Sequence, residues 1–292
     1  MQLAAQTVFL PRHHILFIEE WLVYHMLMGV DHFYLYDNTG SMDCNPDIGM
    51  HPNLDKRGYD LYELTSHLTD DDIQQFLNEL TCKYDGMITF VKWQYRDKNH
   101  KIIYAQNKAI RDCIDKYSKL IDWLYIVDMD ELFYSPQKLD IKQCIDYCEN
   151  NKVSKINLRE FNFLSRYKLN SVSKASPREK YFSQIFYTTN HVNRKGGYSS
   201  GKQIIKVKDL APQAKWRHPL VHELPLARGC KNICDGSFAR FNHYRTTIRD
   251  LDSPKMKVRF PAGLEDLNID DSLKYLNQQF EDVHMLAENY LQ

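Results

Sequence analysis

Apolar positions along the chain switch repeatedly between a strand period and a helix period. Val8-Phe9-Leu10 reads as a short buried strand closed by Pro11, after which Ile15, Ile18, Leu22, Met26 and Val30 recur at helical spacing until Gly29, with Trp21 and His25 alongside. His32-Phe33-Tyr34-Leu35-Tyr36 is an aromatic strand that enters the turn cluster Asp37-Asn38-Thr39-Gly40-Ser41. Strand, helix and strand in such close succession form a βαβ unit, which predicts a parallel sheet.

The pattern continues in the same vein. A loop from Met42 to Gly58 precedes Thr69, which offers an N-cap to an acidic first turn (Asp70, Asp71, Asp72) of a helix reaching Leu80. A strand at Met87–Val91 and a helix over Tyr104–Leu120 follow. Trp123-Leu124-Tyr125-Ile126-Val127 is apolar without interruption, as a strand buried on both faces should be, and it runs straight into Asp128-Met129-Asp130-Glu131. Beyond Asp140 come a helix to Glu149, an alternating strand over Val153–Leu164, and a polar, basic stretch from Ser165 to Gly201 that reads as loops. Strands at Gln203–Val207 and Ser237–Tyr244 and a closing helix over Asp270–Leu291 complete the prediction. The fold class is α/β: a mostly parallel central sheet flanked by helices, with a smaller region built from later residues. No repeat and no clean boundary divides the 292 residues, so one domain over 1–292 is expected.

Composition narrows the function. Lys plus Arg equals Asp plus Glu at 38 each, which predicts no nucleic-acid partner. The balance hides a gradient: acidic residues dominate Asp31–Asp85 and basic ones Arg159–Arg217. The basic half is either a solvated face or a groove that draws in a pyrophosphate or an anionic acceptor. Seven scattered cysteines fit reduced thiols better than a disulfide framework. Cys144/Cys148 and Cys230/Cys234 admit a four-thiolate zinc site, but without the usual knuckle spacing they favour buried helix-face thiols. Glu19, Glu20 and His25 interrupt the apolar stretch Ile15–Val30 and forbid a membrane span there. With no signal-peptide layout at the amino terminus, the expectation is a cytoplasmic protein able to touch a membrane only at its surface.

Asp128-x-Asp130 carries the most chemistry. In open α/β sheets ligands bind at the carboxyl ends of strands, and this pair leaves a buried strand at that edge. Two carboxylates one residue apart can turn toward one hard divalent cation, Mn²⁺ or Mg²⁺, which would bridge to diphosphate oxygens.

Several segments resemble glycosyltransferase family 92 and related family-2-like enzymes. Glu20-Trp21-Leu22-Val23-Tyr24-His25 and Gly29 to Asn38 resemble their opening, and Trp123 to Phe133 resembles their metal-binding segment. The helix with Gln106, Asn107 and Ala109, then Gly201-Lys202-Gln203-Ile204-Ile205, then Asn242-His243-Tyr244 follow in the family's order, so the resemblance spans about residues 7 to 250. It implies a GT-A fold, a nucleotide-sugar donor (a UDP-sugar), a glycan or glycoconjugate acceptor, and inversion at the anomeric carbon. It implies a nucleotide-sugar-binding half over 1–135, an acceptor-side half over 136–250 and a helical segment over 251–292. Asp37 and Asn38 would lie near the nucleoside, with Asp128 and Asp130 at the metal. A histidine from His218, His222 or His243 would complete the metal site, His222 and His243 being favoured. The sequence departs from the family at Pro11-Arg12-His13-His14, where an Arg/Lys-Asn-Glu segment is usual; this points to an altered base contact.

Inverting transfer needs a general base for the acceptor hydroxyl. Glu131 adjoins the metal segment, and Glu160 and Glu223 lie where an acceptor could be faced; the sequence does not choose among them. Glu131 reads equally as a residue that shapes its loop by bonding backbone, and Lys202 as either a phosphate or acceptor contact or an exposed lysine opening a strand. Two other functions share these features: a sugar nucleotidyltransferase, for which no glycine-rich phosphate loop is found between Val8 and Gly29, and a carbohydrate- or nucleotide-binding module without turnover.

Overall fold

The computed structural model describes residues 1–15, 18–41, 65, 67–164, 187–188, 201–216, 220–245 and 268–269. Strand β1 (Leu3–Phe9), buried along its whole length, lies at the centre of the sheet. It pairs in parallel with β2 (His32–Asp37) on one side and β4 (Trp123–Ile126) on the other. β3 (Ile88–Lys92) adds in parallel outside β2. β8 (Lys202–Lys206) then joins β4, and β6 (Val153–Leu164) joins β8, both antiparallel. The order is β3-β2-β1-β4-β8-β6, so the expected α/β class with a mostly parallel centre is present.

Alternation of side chains across the pleat explains why these strands read as continuous apolar runs. Leu3, Ala5, Phe9, Phe33, Leu35, Trp123 and Tyr125 face one core. That core also takes Trp21 and Leu22 of α2 (Ile18–Leu27), Phe76 and Leu80 of α3 (Asp70–Lys83), and Ile141 and Ile145 of α5 (Ile141–Asn150). Ala4, Val8, Tyr36, Leu124, Ile126 and Ile205 face the opposite core, against Ala109, Ile110, Cys113 and Ile114 of α4 (Gln106–Tyr117).

Local signals set most boundaries. Gly29, at φ 91°, ends α2 where only glycine is unstrained. Thr69 and Asp72 form a reciprocal capping box on α3, as do Asp140 and Gln143 on α5. Pro11 opens a one-turn helix, α1 (Pro11–His14), just after β1. α4 starts at Gln106, later than its apolar pattern suggested, because Ala105 adopts left-handed backbone at φ 43°. Cys144 and Cys148 sit buried on the core face of α5, while Cys230 is half-buried and Cys234 exposed; all four are free thiols, and no thiolate cluster occurs among the described residues. Among those residues no helix is long and apolar enough to cross a membrane. The loop expected over 42–58 and the helix expected over 270–291, like most of the basic loops over 165–200, lie outside the described residues.

A second set of strands hangs on the far half of β6. Residues Lys155–Leu158 of β6 pair with β8, whereas Arg159–Leu164 pair in parallel with β10 (Arg240–Arg245). β10 also pairs antiparallel with β5 (Glu131–Tyr134). β7 (Tyr187–Thr188) and β11 (Asn268–Ile269) extend this edge, and β9 (Lys231–Ile233) lies beside the start of β6. The chain therefore leaves β4 in the main sheet, turns through Asp128–Asp130, and enters the second set as β5.

Candidate active site

The turn between β4 and β5 is fixed from below and within. Met129 is 2% exposed and belongs to the core, so the residues on either side of it face outward. Glu131 N–H donates to Asp128 O at 3.1 Å, and Asp128 N–H donates to Glu131 Oε2 at 2.9 Å. Trp21, buried on α2, donates Nε1–H to the carbonyls of both Asp128 and Glu131, each at 3.2 Å. Behind it, His25 donates Nδ1–H to Trp21 O at 2.8 Å. Burial drives the His25 imidazole down to about 3, so this ring is neutral.

Asp128 and Asp130 meet different partners. Asp128 Oδ1 accepts from Gln106 Nε2 at 2.5 Å and Oδ2 from Lys202 Nζ at 2.6 Å. Lys202 is 2% exposed and also reaches Glu131 Oε2 at 3.2 Å, which removes the exposed-lysine reading. Burial works to lower its pKa, but Asp128 and Glu131 together raise it above the ordinary lysine value, so it stays charged. Its place depends on Gly201: an added Cβ there would stand 2.6 Å from Leu158 O, so only glycine lets β8 begin against β6. Glu131, 2% exposed, is pushed up to about 7 by burial and by Asp128 and Asp130, against the opposing pull of Lys202 and His243.

Asp130 Oδ2 lies 2.9 Å from His243 Nε2, and His243 Nδ1 lies 2.8 Å from Glu160 Oε1. Strand register makes this junction. His243 on β10 stands opposite Glu131 on β5 and opposite Asn162 on β6; Glu160, two residues before Asn162, shares its face. Ligand atoms of Asp130, Glu131 and His243 fall within 4.8 Å of one another. Two carboxylate oxygens and one imidazole nitrogen suit Mn²⁺ or Mg²⁺. Four carboxylates (Asp128, Asp130, Glu131, Glu160) gather around the Lys202 ammonium and the His243 imidazole.

Of the other residues singled out in the sequence, His222 donates Nδ1–H to Gly201 O at 2.9 Å and so sits beside the site, outside the Asp130–Glu131–His243 group. His218 lies outside the described residues. Glu223 is exposed. Asp37 ends β2 and Asn38 follows it, two strands from Asp128 across β1, roughly 10 Å along the same sheet edge. Asp37 Oδ1 accepts from Thr39 N–H and Oγ1–H at 2.8 and 2.6 Å. Asn38 is fully buried and donates Nδ2–H to Trp93 O and Ile103 O, pinning the loop between them. Arg12, at the point of departure from the family pattern, donates to Thr65 O, Leu68 O and Asp70 Oδ1 and anchors the approach to α3. Gln106 and Trp21 stand in segments that the family resemblance marks, yet nothing in the sequence singles them out as site residues; Glu160, a candidate base in the sequence, meets the His243 ring.

Comparison with known proteins adds the family. The sequence profile of glycosyltransferase family 92 matches residues 64–283, a span that contains Asp128, Asp130, Glu131, Glu160, Lys202, His222 and His243 but not Asp37 or Asn38. No curated protein matches the chain. Among solved structures, an active-site mutant of LgtC is similar at 10% identity and a TM-score of 0.28, over 71% of this chain and 58% of that one. A UDP-glucose pyrophosphorylase from Acinetobacter baumanii is similar at 11% identity and a TM-score of 0.33, over 96% and 99% of the two chains. An apo-UDP-glucose pyrophosphorylase gives 10% and 0.31 over the same shares. Likenesses this faint bear on no functional point; the profile, which covers most of the sequence and every residue of the acidic junction, does, and the chain belongs to glycosyltransferase family 92 and is a glycosyltransferase.

Proposed function

We propose that this glycosyltransferase moves a sugar from a UDP-sugar to a hydroxyl of a glycan or glycoconjugate acceptor, with inversion, at a site where Asp130 and His243 hold Mn²⁺ or Mg²⁺. The observation that carries the reading is the Asp130 Oδ2–His243 Nε2 pairing at 2.9 Å on the edge where β4 ends. A bound divalent cation would supply Lewis-acid neutralisation of the charge that grows on the leaving nucleoside diphosphate. Asp128 orients Lys202, whose buried ammonium sits beside the cation residues and offers a second positive charge for phosphate oxygens. Glu131 is assigned the bracing role, because its Oε2 caps Asp128 N–H and takes Lys202. Asp37 and Asn38 lie on the same edge, and among the described residues only Oδ1 of Asp37 is hydrogen-bonded, which would leave Oδ2 to meet a nucleoside.

UDP release from a panel of UDP-sugars, with and without Mn²⁺, tests this for the wild type and Asp130→Asn. Metal-dependent release that Asp130→Asn abolishes is expected. Pyrophosphate release from UTP and a sugar phosphate would support the nucleotidyltransferase instead, and UDP-sugar binding with no turnover for any donor or acceptor would support the binding module.

A further inference from the structure

We propose that Glu160 is a positioning residue of the cation site: it grips the His243 ring at Nδ1 so that Nε2 is presented beside Asp130. The inference deepens the proposed function and rests on its cation reading.

Glu160 is 5% exposed and stands on β6, on the face His243 shares from β10. Its Oε1 lies 2.8 Å from Nδ1, a full hydrogen bond, whereas Glu131 Oε1 is 3.7 Å from the same nitrogen and makes none. An ionised carboxylate only accepts, so Nδ1 must carry the proton. Nε2 faces the second carboxylate, Asp130 Oδ2 at 2.9 Å, so it is the nitrogen whose proton a cation arriving at Asp130 would displace, leaving a lone pair aimed at the cation. A ring free to turn about its Cβ–Cγ bond would present Nε2 toward Asp130 only part of the time. A carboxylate behind a metal-bound histidine also raises the basicity of the imidazole.

The experiment is a Mn²⁺ titration of the metal-free full chain, with free Mn²⁺ read by electron paramagnetic resonance and no donor present. Wild type, Glu160→Gln, Glu160→Leu and His243→Ala are compared, each checked for folding by circular dichroism; Glu160→Thr replaces a leucine variant that fails to fold. Glu160→Leu should weaken Mn²⁺ by about 10–100-fold. Glu160→Gln should recover part of the loss, because an amide oxygen still accepts from Nδ1–H. Wild-type affinity in Glu160→Leu would overturn the role of Glu160 while leaving the cation reading intact. Equal losses in the Gln and Leu variants would also overturn it, since charge rather than ring orientation would then be at work. A wild type that binds no Mn²⁺ would sink the cation reading itself, before any substitution is considered.

Discussion

His25 offers a quantitative test of how the site is supported. Its ring is fully buried on α2, with Trp21, Tyr24 and Tyr125 around it, and Nε2 has no hydrogen-bond partner among the described residues. The titratable neighbour, the Tyr125 hydroxyl, is held protonated by burial far above the acid range. An ordinary histidine takes a proton at 6.5, and this one at about 3. Below about 6.5 the unfolded chain therefore binds a proton that the folded chain refuses, and stability falls with pH until about 3. It is fully present above that window. At about 1.36 kcal/mol per pH unit the whole effect is roughly 5 kcal/mol, of which about 2.5 kcal/mol is lost between about pH 7.5 and about pH 4.5. Urea unfolding of wild type and His25→Gln at those two pH values isolates it. Glutamine cannot titrate, and it can still donate to Trp21 O. The stability gap between the two proteins should narrow by about 2.5 kcal/mol on acidification. Parallel pH profiles, agreeing within about 0.5 kcal/mol, would show that the ring is protonated in the fold and refute the reasoning.

Two further outcomes follow from the same geometry. Trp21→Phe keeps an aromatic ring in the core but removes the donor shared by Asp128 O and Glu131 O; a loss of about 1–2 kcal/mol in urea unfolding and weaker Mn²⁺ binding are expected, and unchanged Mn²⁺ affinity would show that the turn holds itself. Gly201→Ala forces a Cβ to 2.6 Å from Leu158 O; the strands must part, at about 1–3 kcal/mol, with UDP release falling as Lys202 moves, and a variant of wild-type melting temperature and turnover would contradict the close approach.

Much of the fold could be read along the chain because the deciding forces are local. Continuous apolar runs marked β2 and β4, the Thr69 and Asp140 caps marked α3 and α5, and Asp128-x-Asp130 at a strand end marked the site. β1 begins at Leu3, well before Val8, because Ala4 to Thr7 carry little strand signal of their own and gain it from lying between β2 and β4. β5 is four residues long and β9 three, too short for any period to show, and β5 finds its partner β10 more than a hundred residues later. Lys202 was legible as a site residue but not as the partner of Asp128, since its direction comes from the Lys202–Leu158 register. The loop-pinning bonds of Asn38 to Trp93 O and Ile103 O have no signal in the sequence, because both partners lie more than fifty residues away.

The two aspartates of the turn divide the electrostatic work, and the reason lies in desolvation. Glu131 is nearly inaccessible, and burial there favours its neutral form against the pull of the ammonium beside it. Lys202 supplies that ammonium from β8, and Gln106 from α4 takes the remaining oxygen of Asp128. On this half of the turn two carboxylates therefore share one ammonium, and both oxygens of Asp128 are taken. Asp130 projects the other way, toward β10, where it meets an imidazole backed by another carboxylate. Two carboxylates thus flank this imidazole, one at each ring nitrogen. The proposed reading therefore puts a divalent cation at Asp130 and His243 rather than at Asp128, whose two oxygens already accept from Gln106 and Lys202.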